Sequence, residues 1–431
     1  MKTIGIVKET KNKWERRVPL NPKAVKKLIE KQFRVILQPS DNRIYTDEDY
    51  ISVGAELNMD LSNCDFIIGV KEIKEKDLIP GKPYLFFSHV IKGQAYNMPM
   101  LQYILDKQIT LLDYEKIADR KNRRLVFFGD YAGKAGMIDT IYGFGKRLKE
   151  KHGLDTPFLQ MKQAYQYRSV NDAVEHLDKI GKEIRKNGLP EEINPVVVFL
   201  MGYGHVSHGA RIILNALPLE EIKPEDLSAK YSKLKNNKIY ISTFKEKHMV
   251  RAKNGNEFNL LHYYKNPLKY ESRMEEFLDF CSIYVNAIYW SPESPVFVTN
   301  EYLKKNKKMI IIGDISCDIN GSVAATIKAT TSDHPVYVYN AESRSDQEGY
   351  QGDGVAVMSV DNLPCEFSKE SSDNFSKALS PFIESLLTND YKKPIKNSTL
   401  PDEIKKACIA HQGKLEEDYT YLTEYLLNNK K

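Results

Sequence analysis

Cysteine, tryptophan and long apolar runs are all scarce in this chain of 431 residues. It has only two tryptophans and five cysteines, and no two cysteines have the C-x-x-C spacing of a zinc site or redox motif. The cysteines are odd in number and far apart, so we expect reduced, mostly buried thiols, with neither a disulfide framework nor a metal site. No apolar stretch approaches the roughly 20 residues that a membrane-spanning helix requires. The composition therefore argues against a secreted disulfide scaffold, a zinc module and an integral membrane protein.

Neither sign of charge dominates the chain. Lysine and arginine total 63 and the acidic residues total 58, which gives a net charge of only +5. Nucleic-acid binding is not indicated, because the basic residues form only short clusters, and such clusters usually belong to the solvated surface. The N-terminal Met1-Lys2 passes directly into an apolar, strand-like segment at residues 3–7. This leaves no space for a signal peptide, and we expect a cytoplasmic protein.

Two series of apolar runs separated by helical patterns indicate an α/β protein. Continuous apolar runs between helices are typical of parallel strands that are buried on both faces. The sequence therefore predicts two Rossmann-like domains with parallel sheets and a cleft between them. We assign residues 1–133 and 347–431 to a discontinuous catalytic (substrate) domain and residues 134–346 to a dinucleotide-binding domain. In this assignment the strand-like run at 355–358 and the long helix at 368–387 pack back on the first domain.

A glycine loop between an apolar strand and a helix indicates the cofactor site. Residues 196–201 are strand-like, and Gly202-Tyr203-Gly204-His205-Val206 leads directly into a helical pattern. The two glycines allow a tight turn and a close approach of the backbone to a pyrophosphate, which the helix N-terminus would bind. We expect Gly202, Gly204, His205 and Val206 to contact a dinucleotide. Ser207 replaces the usual third glycine.

The choice between NAD and NADP depends on the residue that meets the adenosine ribose. An acidic residue is expected about 20 residues after the glycine loop, and we select Glu225. An acid at this position favours NAD. Lys223 beside it could instead bind a 2′-phosphate, so NADP stays open.

Polar residues directly after two apolar strands indicate acid–base chemistry. Lys71-Glu72 follows the run at 66–70, and His89 follows the run at 84–87. Ligands bind at the carboxyl ends of strands in open α/β sheets. A buried lysine can act as a base, and histidine titrates near neutral pH. We also expect Arg17 to bind a substrate carboxylate and Glu72 and Glu115 to adjust the Lys71–His89 pair electrostatically.

Several segments resemble a known enzyme superfamily. Residues 4–9, 17–22 and 69–72 are similar to the N-terminal domain of the alanine dehydrogenase and transhydrogenase superfamily. Residues 86–94 and 123–136 are similar to the lysine-forming saccharopine dehydrogenases, and most of all to the lysine–ketoglutarate reductase part of aminoadipate semialdehyde synthase. The resemblance extends over nearly the whole chain.

The resemblance implies a reaction in which the ε-amine of L-lysine condenses with 2-oxoglutarate and NAD(P)H reduces the imine to saccharopine. It implies that Lys71 accepts the lysine proton and that His89 transfers protons during imine formation. The remaining implied contacts are with substrate carboxylates for Arg17, Gln94 and Arg124, and with the cofactor for Arg123, Phe128, Asp314, Ile315 and Ser316. Small molecules are the expected partners, and a homo-oligomer is left open.

Lys134 departs from the family pattern, which usually has a small or apolar residue there. If its side chain faced the substrates, the keto acid could differ. Two alternatives therefore stay open, namely alanine dehydrogenase-like amination of a small 2-oxo acid and a catalytically silent NAD-binding regulatory protein.

Overall fold

The computed structural model describes residues 1–306 and 308–428, and these residues form two units. Unit 1 contains Met1–Phe128 and the described chain from Ser368 onwards, and unit 2 contains Gly129–Phe367. Each unit is built around its own eight-stranded sheet, in which most strands are parallel. The predicted α/β fold class with two largely parallel sheets is confirmed.

The strands in chain order are β1 (Thr3–Ile6), β2 (Arg34–Leu37), β3 (Glu56–Leu57), β4 (Phe66–Ile68), β5 (Pro83–Phe86), β6 (Thr110–Asp113), β7 (Val196–Met201), β8 (Leu219–Glu221), β9 (Ile239–Phe244), β10 (Val250–Ala252), β11 (Tyr270–Ser272), β12 (Ile283–Asn286), β13 (Ile311–Asp314), β14 (Val336–Asn340), β15 (Ser345–Glu348), β16 (Val355–Met358), β17 (Cys408–His411) and β18 (Lys414–Leu415). The α-helices are α1 (Pro22–Glu30), α2 (Asp47–Ile51), α3 (Met98–Asp106), α4 (Gly129–His152), α5 (Val170–Asn187), α6 (His205–Leu214), α7 (Leu227–Lys230), α8 (Glu246–Met249), α9 (Leu260–Lys265), α10 (Asn300–Lys305), α11 (Ser368–Thr388), α12 (Asp402–Lys405) and α13 (Leu422–Asn428).

The sheet of unit 1 has the order β18-β17-β6-β5-β4-β1-β2-β3. Strands β1 to β6 are parallel, whereas β17 is antiparallel to β6. The residues of β1, β4, β5 and β6 are all buried, because helices cover both faces of a parallel sheet. Helix α1 begins where Asn21 accepts a hydrogen bond from the Ala24 N–H and Pro22 occupies the first turn. The carboxyl ends of four neighbouring strands therefore meet at one edge of this sheet.

The sheet of unit 2 has the order β15-β14-β16-β13-β12-β7-β9-β8. The central strands are parallel, and β14 pairs antiparallel with both β16 and β15. The segment between β9 and β12 forms a separate excursion that contains the β10–β11 hairpin and α9. Strand β7, which leads into the glycine loop, lies between β12 and β9.

The boundaries of the units differ from the predicted domain boundaries. Residues 347–367 belong to unit 2 and not to the first domain, because β16 pairs with β13 and β14 in the second sheet. The chain returns to unit 1 only at Ser368. Helix α4 belongs to unit 2 from its first residue, Gly129. The predicted boundary ran to residue 431, and residues 429–431 lie outside the described part of the chain. The assignment of catalysis to one unit and cofactor binding to the other stays a prediction.

Candidate functional site

Charged and polar side chains of unit 1 gather at the carboxyl ends of β1, β4, β5 and β6. Glu9 follows β1, Lys71 and Glu72 follow β4, and His89 follows β5. Strand β4 pairs in parallel with both β1 and β5, so these three segments end side by side. The sequence placed Lys71, Glu72 and His89 at strand ends, and the sheet order brings those ends together.

Lys71 lies among charges of both signs. Burial, followed by the charges of Arg17 and Lys11, lowers the pKa of the Lys71 amine below its usual value of 10.5. The carboxylates of Glu15 and Glu72 oppose this shift but do not cancel it. A lowered pKa increases the neutral fraction of the amine near neutral pH. Lys71 can therefore accept a proton as a general base.

Glu9 is a partly buried carboxyl group that the sequence analysis did not identify. Its Oε1 accepts a hydrogen bond from the Val70 N–H at 2.6 Å, and its Oε2 accepts one from the Lys71 N–H at 3.0 Å. Burial, and then the charge of Glu15, raises the pKa of Glu9 to about 8. Glu9 thus fixes the main chain of the β4 turn and can hold a proton beside Lys71. Its identification needed the pairing of β1 with β4, which no local motif gives.

Glu72 and His89 form a close pair. Glu72 Oε1 lies 2.5 Å from His89 Nδ1, and the two side chains are 18% and 25% exposed. Burial raises the pKa of Glu72, but the hydrogen bond and charge of His89, together with the charge of Lys11, bring it down to about 2. The His89 ring is also stacked against Phe87, with centroids 6.1 Å apart. A carboxylate at Nδ1 fixes the orientation of the ring and leaves Nε2 as the nitrogen for proton transfer.

Arg17 does not have the predicted free fork for a substrate carboxylate. Its Nε and Nη2 donate to the two carboxylate oxygens of Glu15, at 2.8 and 2.5 Å. Both side chains are buried, at 2% and 0% exposure. The guanidinium also lies over the ring of Phe128, 4.1 Å from its centroid. Glu15 was missed because it precedes Arg17 by only two residues, a spacing with no recognised motif.

Phe128, predicted to lie near the cofactor, belongs to an aromatic cluster of unit 1. Its ring stacks on Phe375 of α11 at a centroid distance of 4.3 Å, and the residue is 8% exposed. Phe87 and Tyr114 complete this cluster. Within unit 1, Phe128 therefore packs against the Arg17 guanidinium and against Phe87, the residue after β5.

The predicted substrate residues Arg124 and Gln94 and the predicted cofactor residue Arg123 are engaged locally. Arg124 Nη2 donates to Glu115 Oε1 at 2.7 Å, and about half of the Arg124 side chain is exposed. Arg123 Nε donates to Asp119 Oδ2 at 2.7 Å. Gln94 Oε1 accepts a hydrogen bond from the Lys92 N–H at 3.1 Å.

The glycine loop of unit 2 makes a tight turn into the N-terminus of α6. Gly202 has a φ of +90°, and a Cβ there would lie 3.0 Å from the Ala287 oxygen. A Cβ at Gly204 would meet no atom within 4 Å, so the space above this residue is open. Gly204 is the N-cap of α6, and a glycine has no side chain to accept hydrogen bonds from the first-turn N–H groups. These N–H groups, beginning with those of His205 and Val206, fit an anionic ligand.

The third glycine of the usual motif is replaced by Ser207, and Gly209 follows two residues later. Ser207 closes the turn, and Gly209 allows close packing of helices. Ser207 Oγ donates to the Gly202 oxygen at 2.7 Å and so holds the turn closed. A Cβ at Gly209 would lie 2.1 Å from the Asp130 oxygen of α4, and one at Gly133 would lie 1.9 Å from the Val206 oxygen. The two glycines therefore allow α4 and α6 to pack with their backbones almost in contact.

Glu246, and not Glu225, lies beside the glycine loop. The Tyr203 hydroxyl donates to Glu246 at 3.2 Å, and the Tyr264 hydroxyl donates to it at 2.5 Å. Glu246 follows β9, the strand that pairs with the glycine-loop strand β7. Glu225 follows the edge strand β8, and its Oε1 lies 3.1 Å from His248 Nε2. The expected spacing of about 20 residues leads to the end of β8, because β8 and a long connection precede β9.

Asp314 is a buried structural residue at the end of β13. Its oxygens accept hydrogen bonds from Asn286 at 2.9 Å and Thr326 at 2.6 Å. Burial raises the pKa of Asp314 to about 6, against these hydrogen bonds. Ser316 Oγ donates to the Ile288 oxygen at 2.7 Å, and Ile315 is 7% exposed. Of the predicted cofactor residues, these three shape the loops after β12 and β13 through contacts inside unit 2.

Lys134 lies on α4 with its ammonium over the ring of Tyr131, 4.3 Å from the centroid.

Within the described residues, no helix is both long and apolar enough to cross a membrane. The same residues contain no group of three or more histidines, cysteines or acids that could hold a metal ion. Four of the five cysteines are buried and all are free.

Comparisons with known proteins agree on one family. The N-terminal domain of the alanine dehydrogenase/PNT family matches residues 5–135, and the C-terminal domain of that family matches residues 269–418. The alpha-aminoadipic semialdehyde synthase of Arabidopsis thaliana is 36% identical over 99% of this chain and 42% of its own length. The chain therefore spans less than half of that relative.

Two further matches cover most of this chain and most of the matched protein. The saccharopine dehydrogenase [NAD(+), L-lysine-forming] of Yarrowia lipolytica is 26% identical over 87% of this chain and 90% of its own length. A solved structure of an L-alanine dehydrogenase aligns with a TM-score of 0.64 at 15% identity, over 99% of each chain. At that identity the structural match shows the fold alone.

Proposed function

Because the chain belongs to the alanine dehydrogenase/PNT family, we propose that it is a lysine-forming saccharopine dehydrogenase. It would catalyse the NAD(P)H-dependent reductive condensation of L-lysine with 2-oxoglutarate, or the reverse. The observation that carries this proposal is the grouping of Lys71, Glu72 and His89 at one sheet edge, with a lowered Lys71 pKa. Whole-chain similarity to an aminoadipic semialdehyde synthase supports the choice of substrates.

The proposed chemistry uses a base and an acid in sequence. Lys71 takes a proton from the ε-ammonium of the substrate lysine, and the neutral amine adds to the keto carbon of 2-oxoglutarate. His89 Nε2 then donates a proton to the carbinolamine oxygen, which leaves as water and gives the protonated imine. A bound NAD(P)H would supply the hydride that reduces the carbon of this protonated imine and gives saccharopine. Glu72 stabilises the positive charge on His89 while it holds the proton.

Substrate carboxylates need cationic or hydrogen-bonding partners. We propose Arg124 and Gln94 for this role, since each is partly exposed beside the strand ends. Arg17 is engaged by Glu15, and we propose that it acts through its charge, which lowers the pKa of Lys71.

We propose NAD as the preferred cofactor, with the pyrophosphate on the first turn of α6. Glu246 carries a negative charge beside Tyr203 of the glycine loop and would accept a hydrogen bond from a ribose hydroxyl. The same charge would repel the 2′-phosphate of NADP. Lys245, whose ammonium lies 5.5 Å from the Tyr203 ring centroid, is the group that would favour NADP instead. A cytoplasmic location is also a proposal, which cell fractionation would test.

The test is a panel of substrate pairs, in which the oxidation of NADH or of NADPH is measured for each pair. We expect oxidation with L-lysine plus 2-oxoglutarate and none with pyruvate plus ammonia. Oxidation only with pyruvate plus ammonia would show an alanine dehydrogenase-like enzyme, and none with any pair would favour a silent NAD-binding protein. The variants Lys71→Met and His89→Gln should lose turnover while their affinity for the cofactor is retained.

A further inference from the structure

The loop that carries His89 and Gln94, residues 89–97, has an unusual backbone. His89 has a φ of +50° and Gly93 one of +68°. A left-handed conformation is unfavourable for histidine, so the surrounding contacts must maintain it. At the ends of the loop, Asp113 accepts hydrogen bonds from the Ser88 N–H and hydroxyl, and Asn97 Nδ2 donates to the Ser88 oxygen at 3.0 Å.

The middle of this loop is covered by two tyrosines of the C-terminal segment. The Tyr421 hydroxyl donates to the main-chain oxygen of Ile91 at 2.6 Å. The ring of Tyr425 lies directly against Gly93, where a Cβ would come within 2.2 Å of the ring. Leu422 and Leu426 belong to helix α13, which begins directly after Tyr421 and contains Tyr425, and both leucines are buried in the cluster that contains Val90 and Met98. Leu422 and Leu426 thus anchor α13 in the core of unit 1, and Tyr421 and Tyr425 contact the loop of residues 89–97.

We propose that Tyr421 and Tyr425 are positioning residues, which hold the loop of residues 89–97 so that His89 meets the substrate in its strained conformation. Each tyrosine is 42% exposed. The inference rests on the proposed function of His89, because the loop matters for turnover only if that histidine transfers protons. A glycine at position 93 is required by the same arrangement, since its φ is positive and the Tyr425 ring occupies the place of a Cβ.

The expected effects follow from the contacts that each substitution removes. Tyr421→Phe removes one hydrogen bond and should lower kcat about fivefold, the worth of a typical hydrogen bond. Tyr425→Ala removes the ring that covers Gly93 and should lower kcat at least as much. Tyr425→Phe keeps this ring and should retain the wild-type rate. Leu427→Ala changes a neighbouring side chain of α13 that is 60% exposed, and it serves as the matched control.

The experiment combines kinetics with hydrogen exchange on the full-length enzyme. The proposal predicts that Tyr421→Phe and Tyr425→Ala lower kcat, leave the KM for the cofactor unchanged and accelerate amide exchange within residues 89–97. Unchanged exchange in this loop would overturn the contact, and faster exchange with an unchanged kcat would overturn the positioning role. A general acceleration of exchange across unit 1 would show a merely structural role and would also overturn the proposal. If the wild-type enzyme does not turn over lysine and 2-oxoglutarate, the proposed function fails, while the exchange measurement still decides whether the tyrosines hold the loop.

Discussion

The buried ion pair between Glu15 and Arg17 gives the sharpest prediction of stability. The pair is joined by two hydrogen bonds, and its side chains are 0% and 2% exposed. Glu15→Gln would remove the negative charge to which the buried Arg17 guanidinium donates two hydrogen bonds. Breaking a buried pair in this way typically costs about 3–5 kcal/mol, much more than the loss of an exposed pair. We therefore expect the free energy of unfolding of unit 1 to fall by roughly that amount.

The two tryptophans make this measurement specific to unit 1. Trp14 belongs to unit 1 and Trp290 to unit 2, so Trp290→Phe leaves Trp14 as the reporter in urea denaturation. In this background, Glu15→Gln and Arg17→Met should each destabilise unit 1, and the double variant should recover much of the loss because neither charge of the pair is then buried without the other. Strictly additive losses in the double variant would refute the reasoning that the cost comes from burying one charge without the other.

Three further predictions concern pH and the cofactor. The pKa of Glu9 is raised to about 8 from 4.5, so between these values the folded state holds a proton that the unfolded state has released. Unit 1 should therefore lose stability as the pH rises from about 5 to 8. In urea denaturation, Glu9→Gln should flatten this dependence of stability on pH. Arg17→Met removes a charge that lowers the pKa of Lys71, so the pH at which kcat/KM is half-maximal on its acidic limb should move upward, and an unchanged profile would contradict the role of Lys71 as the base. Glu246→Ser should raise kcat/KM for NADPH relative to NADH, whereas an unchanged ratio would place cofactor selection elsewhere.

The buried central strands of both units could be predicted from the sequence because they are continuous apolar runs. Residues 66–70 and 84–87 predicted β4 and β5, and the polar residues after them are the ones that the sheet brings together. The predicted helix at 368–387 corresponds to α11. Burial on both faces of a parallel sheet produces this signal directly.

Features that depend on the order of strands in the sheet could not be predicted. Glu9 joins Lys71 only because β1 pairs with β4. Glu246 lies beside the glycine loop because β9, and not the earlier strand β8, pairs with β7. In the same way, β16 was assigned to the first domain because an apolar run does not show which strands it pairs with, here β13 and β14. Such pairings of distant segments leave no local periodicity in the sequence.

Isotope labelling shows whether intact lysine is joined to 2-oxoglutarate by reduction of an imine. L-lysine labelled with ¹⁵N at its ε-nitrogen would be incubated with 2-oxoglutarate, NADH carrying deuterium in the transferred position, pyruvate and unlabelled ammonia. We expect one product that contains the lysine and 2-oxoglutarate skeletons, the ¹⁵N label and one deuterium, as read by mass spectrometry. Glutamate or alanine carrying unlabelled nitrogen, with no ¹⁵N-labelled condensation product, would refute the proposed function.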